Sequence, residues 1–235
     1  MSGTGGQGSP RHGFLLHRRA WRESGFLLDL LTEEGLVRAI TRGSRGRAGT
    51  ALQPFTPLAF WLRGRSELQT LQQAEALAPP LRLSGPNLFC GMYLNEVLVL
   101  ALRGHEPSEG LCARYQQTLT QLLDADAEAR ECILRGFEFS LLECLGYGLH
   151  LDHASDSGAP LTAERAYVVP LQGVFAQRPS VPAIEVDVAT LRRVLDGALD
   201  SKAARQCAKR VARAQIDALV GGRKLLSREL FKRKT

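Results

Sequence analysis

The spacing of apolar residues along this chain changes character near residue 80. Up to that point short apolar runs alternate with turn residues. Segments 14–17, 26–31, 35–41, 58–62 and 67–77 read as strands, and Gly25, Gly35, Gly43, Gly46, Gly49 and Gly64 punctuate them. About five short strands in so small a segment predict a compact barrel. The last run also admits a helix, because Leu68, Leu71 and Ala74 fit a helical spacing.

Pro79 and Pro80 break this pattern, and after Gly85-Pro86 the period becomes helical. Segments 88–102, 111–123 and 128–145 read as helices, the last ending at Gly146 and Gly148. A polar loop over 152–160 leads into a small β excursion over 167–188, where Val168, Val169, Val174, Phe175, Ile184 and Val186 are separated by Gly173 and three prolines. Segments 190–199 and 201–220 return to helix. Gly221-Gly222 makes a hinge, and Ser227 caps a last short helix through Lys232. The pattern therefore predicts an α+β protein. It comprises a flexible tail over 1–13, a β-barrel domain over 14–83, and a mostly α-helical domain over 84–235 with a β insertion and a basic C-terminal helix and tail.

Composition narrows the class. A length of 235 residues allows one large or two small domains, and 44% hydrophobic with 23% charged residues is ordinary for a soluble globular protein. No apolar run is long enough to span a bilayer; the run over 97–102 is stopped by Arg103 and Gly104. Residues 1–12 are rich in Gly, Ser and Thr without an apolar stretch, and read as a tail rather than a signal peptide. Five cysteines form no Cys-x-x-Cys pair and sit among apolar helical residues, which reads as buried, reduced thiols in a cytosolic protein.

Charge changes the picture more. Residues 1–83 carry net +5, 84–200 carry net −8, and 201–235 carry net +9. Two basic ends around an acidic middle suit a polyanion, because each cation set beside a phosphate releases condensed counterions. In the first block the sharpest feature is Arg42-Gly43-Ser44-Arg45-Gly46-Arg47, whose glycines permit close approach and whose Arg42, Arg45 and Arg47 suit phosphate oxygens. It lacks the Lys-Ser/Thr ending of a nucleotide-binding loop. Arg18, Arg19, Arg22 and Arg38 lie in the same segment. In the third block Lys202, Arg205, Lys209 and Arg213 share one helical face, with Arg223, Lys224 and Arg228 beyond it. Trp21, Phe55, Phe60 and Trp61 are candidates for stacking on bases or for the core, and Trp21, set between Arg19 and Arg22, is the least core-like. The group His150, Asp152 and His153 fits no standard zinc spacing. The acids Asp124, Asp126, Glu128 and Glu131 are the nearest thing to a metal-dependent nuclease site, and no Gly-x-Ser-x-Gly elbow occurs.

Several stretches closely resemble the RecO family of bacterial recombination mediators. They are Leu16-His17-Arg18-Arg19, Leu28-Asp29-Leu30-Leu31-Thr32-Glu33-Glu34, Leu52-Gln53-Pro54-Phe55-Thr56-Pro57-Leu58, Gly91-Met92-Tyr93-Leu94-Asn95-Glu96, Phe137-Glu138-Phe139, Leu145-Gly146-Tyr147-Gly148 and Ser227-Arg228-Glu229-Leu230-Phe231. They occur in family order over nearly the whole chain. The resemblance implies an N-terminal OB-fold, a helical C-terminal domain, and a cytoplasmic, nucleoid-associated DNA-repair protein without enzymatic turnover. It further implies binding of ssDNA and dsDNA, annealing of complementary strands, engagement of the C-terminal tail of the single-stranded-DNA-binding protein SSB, and loading of RecA with RecR.

Many relatives carry a four-cysteine zinc site after the Leu-Gly-Tyr-Gly motif. Here Ala154 and Ser157 take the first pair of positions and Ala176 falls near the second, so no cofactor is expected. For the SSB tail, which is acidic and ends in a Phe carboxylate, the motif position points to Arg135 as the cation, with Leu94, Leu134 and Phe139 lining an apolar pocket. Arg135 equally fits a simple ion pair with Glu131 or Glu138 on its own helix. A metal-dependent DNA-processing enzyme and an RNA-binding OB protein stay open as alternative functions.

Overall fold

The computed structural model describes residues 9–22, 25–41, 52–64, 66–103 and 109–232. Their contacts form two compact units, one up to Leu123 and resumed from Ser227, the other Asp124–Leu226.

In the first unit five strands close a barrel in the order β1-β2-β3-β5-β4. They are β1 (Arg11–Trp21), β2 (Gly25–Thr32), β3 (Gly35–Ile40), β4 (Leu58–Arg63) and β5 (Leu68–Ala76). Closure comes from β4 pairing back onto β1 at Arg11↔Phe60, His12↔Ala59 and Gly13↔Leu58. All pairs are antiparallel except β3 with β5. At Gly13 a Cβ would lie 1.8 Å from the Leu31 carbonyl oxygen, so the seam between β4 and β2 admits only glycine. Leu15, Leu28, Leu30, Leu58, Phe60 and Leu71 fill the barrel. Leu27 and Leu31, on the other side of β2, are also buried, which is why this strand reads as one apolar run without alternation. The run after Ser66 is a strand and not a helix. Leu71 and Ala74 do fall three apart, but β5 itself carries an extra residue, Gln72, opposite the Trp61–Leu62 step of β4, and this accommodates the odd spacing.

Helices α1 (Gly85–Ala101) and α2 (Leu111–Gln121) belong to the barrel unit. The Asn95 side chain on α1 donates to the Leu16 carbonyl of β1 at 2.9 Å and accepts from the Tyr115 hydroxyl of α2. Tyr115 is wholly buried and packs edge-on against Phe14 at 5.1 Å. Burial pushes its phenol far above the ordinary range.

The second unit contains α3 (Ala127–Cys144), a three-stranded sheet of order β7-β6-β8, and helices α4 (Val188–Leu195) and α5 (Lys202–Leu219). The strands are β6 (Arg165–Val169), β7 (Gly173–Phe175) and β8 (Ile184–Asp187). Asp126, Asp187 and Ser201 cap α3, α4 and α5 by accepting from the backbone N–H three residues on. Ala166, Val168, Val174, Leu191 and Val211 form the core. Leu171, in the β6–β7 turn, adopts φ 61°, and the buried Gln215 amide oxygen accepts its N–H at 2.7 Å. The helix α6 (Ser227–Lys232) belongs to the barrel unit, where Phe231 meets Phe89 of α1 edge-on at 5.9 Å. The Glu96 carboxylate accepts from both the backbone N–H and the hydroxyl of Ser227. The α+β architecture read from the sequence is thus the one adopted. No helix among the described residues is long and apolar enough to cross a membrane.

Candidate nucleic-acid interface

Beyond Gly13, β1 leaves β4 and, among the described residues, stays paired with β2 alone. A register shift between Leu15 and His17 turns the strand outward. His17, Arg18, Arg19, Ala20 and Trp21 are then all exposed, although their partners Leu27 and Leu28 on β2 are buried. This stretch is exposed at both parities and unpaired on its outer side among the described residues, and it carries three cations and an indole within six residues, His17 to Arg22. Arg18 lies over the Phe26 ring at 4.8 Å, and Arg22 lies 6.0 Å from the Trp21 ring. Arg22 opens the hairpin turn at φ 53°, a strained conformation for a residue with a side chain.

Beside this edge a line of charge crosses three strands. Asp29 on β2 pairs in register with His17 on β1 and Arg38 on β3. Its carboxylate is buried, 3.5 Å from the His17 Nδ1 and 3.8 Å from the Arg38 Nε, and Oδ1 accepts no hydrogen bond. Asp29 therefore sets a buried carboxylate between the exposed His17 imidazole and the half-buried Arg38 guanidinium. The sequence signal for it is a lone acid inside an apolar strand, which charge counting passed over. Arg42, Arg45 and Arg47 lie outside the described residues.

The basic face of α5 is partly spent within its own unit. Arg205 pairs with Glu128 at 2.8 Å and Lys209 with Glu131 at 3.1 Å, both acids on α3. Lys202 and Arg213 stay exposed, as do Arg223 and Lys224. Arg228, on α6, lies 5.8 Å from the Tyr93 ring. The acids at 128 and 131 thus serve as ion-pair partners for α5. Among the described residues no three His, Cys, Asp or Glu side chains converge as a metal-holding group.

Arg135 pairs with Glu138 at 2.6 Å on α3, and the two side chains are 11% and 1% exposed. Leu134 is buried, Phe139 packs against the core of the second unit, and Leu94 has no exposed surface in the first.

The loop that follows the Leu-Gly-Tyr-Gly motif is held by hydrogen bonds. The Ser155 hydroxyl accepts from the Val174 N–H, and the Asp156 carboxylate accepts from the N–H groups of Ala176 and Gln177, each at 3.2 Å. Ala154 is buried and Ser157 accepts from the Ala159 N–H, so these positions offer no thiolate and do not fit a four-thiolate metal. Desolvation pushes the Asp156 carboxyl up, but the backbone donors of Gln177 and Ala176 outweigh it and hold the carboxyl below its ordinary value. Its stabilising effect is therefore complete above the ordinary carboxylate pKa and is lost as pH falls through the depressed one. Asp156→Ala is expected to lower the melting temperature at neutral pH, as acidification does for the parent chain, whereas a chelator leaves the parent's melt unchanged. Thermal melts with and without chelator check this.

A family model described as Recombination protein O N terminal matches residues 10–80, and one described as Recombination protein O C terminal matches residues 82–229. The chain is similar to proteins named DNA repair protein RecO in several bacteria. It is 41% identical to that of Methylococcus capsulatus over 228 residues, covering 94% of this chain and 92% of that protein. It is 39% identical to that of Pseudoalteromonas atlantica over 227 residues, covering 94% and 93%. It is also 39% identical to that of Stutzerimonas stutzeri over 219 residues, covering 93% and 91%.

Proposed function

This chain belongs to the recombination protein O family of DNA repair and recombination, and we propose that it acts there by binding DNA strands and annealing them, without catalytic turnover. The observation that carries the reading is the exposed basic edge of β1. A strand edge unpaired among the described residues, with Arg18, Arg19 and Arg22 beside an exposed indole, offers cations to phosphates and a ring to bases. Two strands held on cationic side chains repel each other less, which favours their pairing. On this reading the protein meets SSB-coated single strands in the cytoplasm, at the nucleoid, engages the SSB tail through Arg135 on α3, and with RecR helps load RecA.

The test is anisotropy of labelled single- and double-stranded oligonucleotides at about 50 and 200 mM salt, together with annealing of complementary strands. Binding to both forms, steeply weakened by salt, and faster annealing are expected, with labelled DNA intact after prolonged incubation with Mg²⁺ or Mn²⁺. Absence of binding, or protein-dependent cleavage, would overturn the proposal.

The buried acid gives a prediction of opposite sign to the usual loss of function. Asp29→Asn removes a negative charge from beneath His17 and Arg38 while keeping the side chain's shape. DNA affinity is expected to rise several-fold at low salt, and the gain to shrink as salt is added. The same anisotropy series reads it.

A further inference from the structure

The indole of Trp21 is 37% exposed at the far end of β1, an uncommon place for the largest apolar ring. The cause lies in the strand opposite. Trp21 pairs with Gly25, which has no side chain to cover the ring. Glycine is imposed there by the backbone, since a Cβ at Gly25 would meet the Thr41 carbonyl oxygen at 2.6 Å and the Trp21 carbonyl oxygen at 3.0 Å. That close approach is pinned by two hydrogen bonds between Phe26 and Thr41, one to the Thr41 hydroxyl at 3.0 Å and one from the Thr41 N–H at 2.9 Å. The fold thus removes the cross-strand cover from Trp21 and leaves it on the strand face it shares with Arg19 and His17. On the opposite parity Arg18 is already laid over Phe26.

The geometry points to Trp21 as the residue by which this edge tells unpaired from paired DNA: its ring stacks on a base of a single strand, while in a duplex the bases are stacked on one another and present no free face. The inference rests on the DNA-binding reading above and adds a division of labour to it. Arg18, Arg19 and Arg22 hold phosphates of either form, and Trp21 adds affinity for the single strand alone. When two strands anneal, that part of the affinity disappears, so the paired product is held less tightly than the strands from which it formed.

The experiment compares the full chain with Trp21→Ala, Trp21→Phe and Arg19→Ala, using a thymidine oligonucleotide, an abasic strand of equal length, and a duplex over one salt series. Thermal melts confirm that each variant folds. Trp21→Ala is expected to weaken thymidine-strand binding by about 5- to 150-fold, the range for loss of one stacked base. It should leave binding of duplex and abasic strand, and the slope of log affinity against log salt, as they are in the parent. Trp21→Phe should recover much of the loss. Arg19→Ala should instead weaken all three probes and lower the slope by about 0.7 to 0.9. If Trp21→Ala weakens duplex and single strand alike, or neither, Trp21 does not discriminate and the inference is wrong while DNA binding stands. If the parent chain binds none of the probes, the functional reading falls and takes this inference with it.

Discussion

A variant carrying Arg18→Ala, Arg19→Ala and Arg22→Gly is expected to bind single-stranded DNA about 10- to 100-fold more weakly at physiological salt, with the salt slope reduced by about 2. Three lost phosphate contacts account for that slope, since each contributes about 0.7 on a single strand. All three side chains are exposed, so the fold survives their removal. Arg18 gives up its position over Phe26, which is worth about 0.5–1 kcal/mol at an exposed site. Glycine is the right replacement at residue 22, because the backbone there sits at φ 53° and any side chain adds strain. The contrasting variant is Arg205→Ala with Lys209→Ala. Those cations face Glu128 and Glu131, so removing them costs the second unit ion pairs and moves the salt slope far less. Anisotropy at four or five salt concentrations separates the two variants.

Arg135→Ala is expected to destabilise the unit that holds α3, because it removes a guanidinium from beside a buried carboxylate. Glu138 is fully buried, and the guanidinium 2.6 Å away is the cation it pairs with. The melting point is expected to fall, and thermal melts of parent and variant read the change. Adding Glu138→Gln to the same chain should recover part of the loss, because a neutral amide is cheaper to bury than a carboxylate. The pair therefore has to be handled together in any test of SSB-tail binding. Loss of tail affinity in Arg135→Ala alone would mix a missing contact with a weakened helix. The double variant, compared with Glu138→Gln alone, isolates the cation's part in recognition.

How much of this was legible beforehand depends on what each residue answers to. The barrel strands were readable because Leu28, Leu30, Leu58 and Phe60 respond to burial, and burial leaves a pattern. The reach of β1 was not. Its second half, Arg18 to Trp21, is polar or exposed at every position and has no alternation to read; what makes it a strand is pairing with Leu28, Leu27, Phe26 and Gly25. The run after Ser66 kept a helical alternative because a spacing of three serves a bulge-shifted strand as well as a helix. Charge blocks located clusters of cations but could not rank them. Whether an arginine is available to a phosphate depends on acids distant in sequence, as Arg205 with Glu128 and Lys209 with Glu131 show. The role of Asp29 was hidden for the same reason, since His17 and Arg38 meet it only across strands.

The last helix carries a warning for genetics. In sequence it continues a basic tail, and trimming it would be taken as the mildest of deletions. Yet Ser227 is held by Glu96, and Phe231 covers Phe89, so this terminus is masonry of the barrel unit rather than an appendage of the unit that precedes it. A stop codon just before residue 227 strips one side of α1. The defect it produces would reach the barrel through α1, even if no cation in the deleted segment ever touched a phosphate.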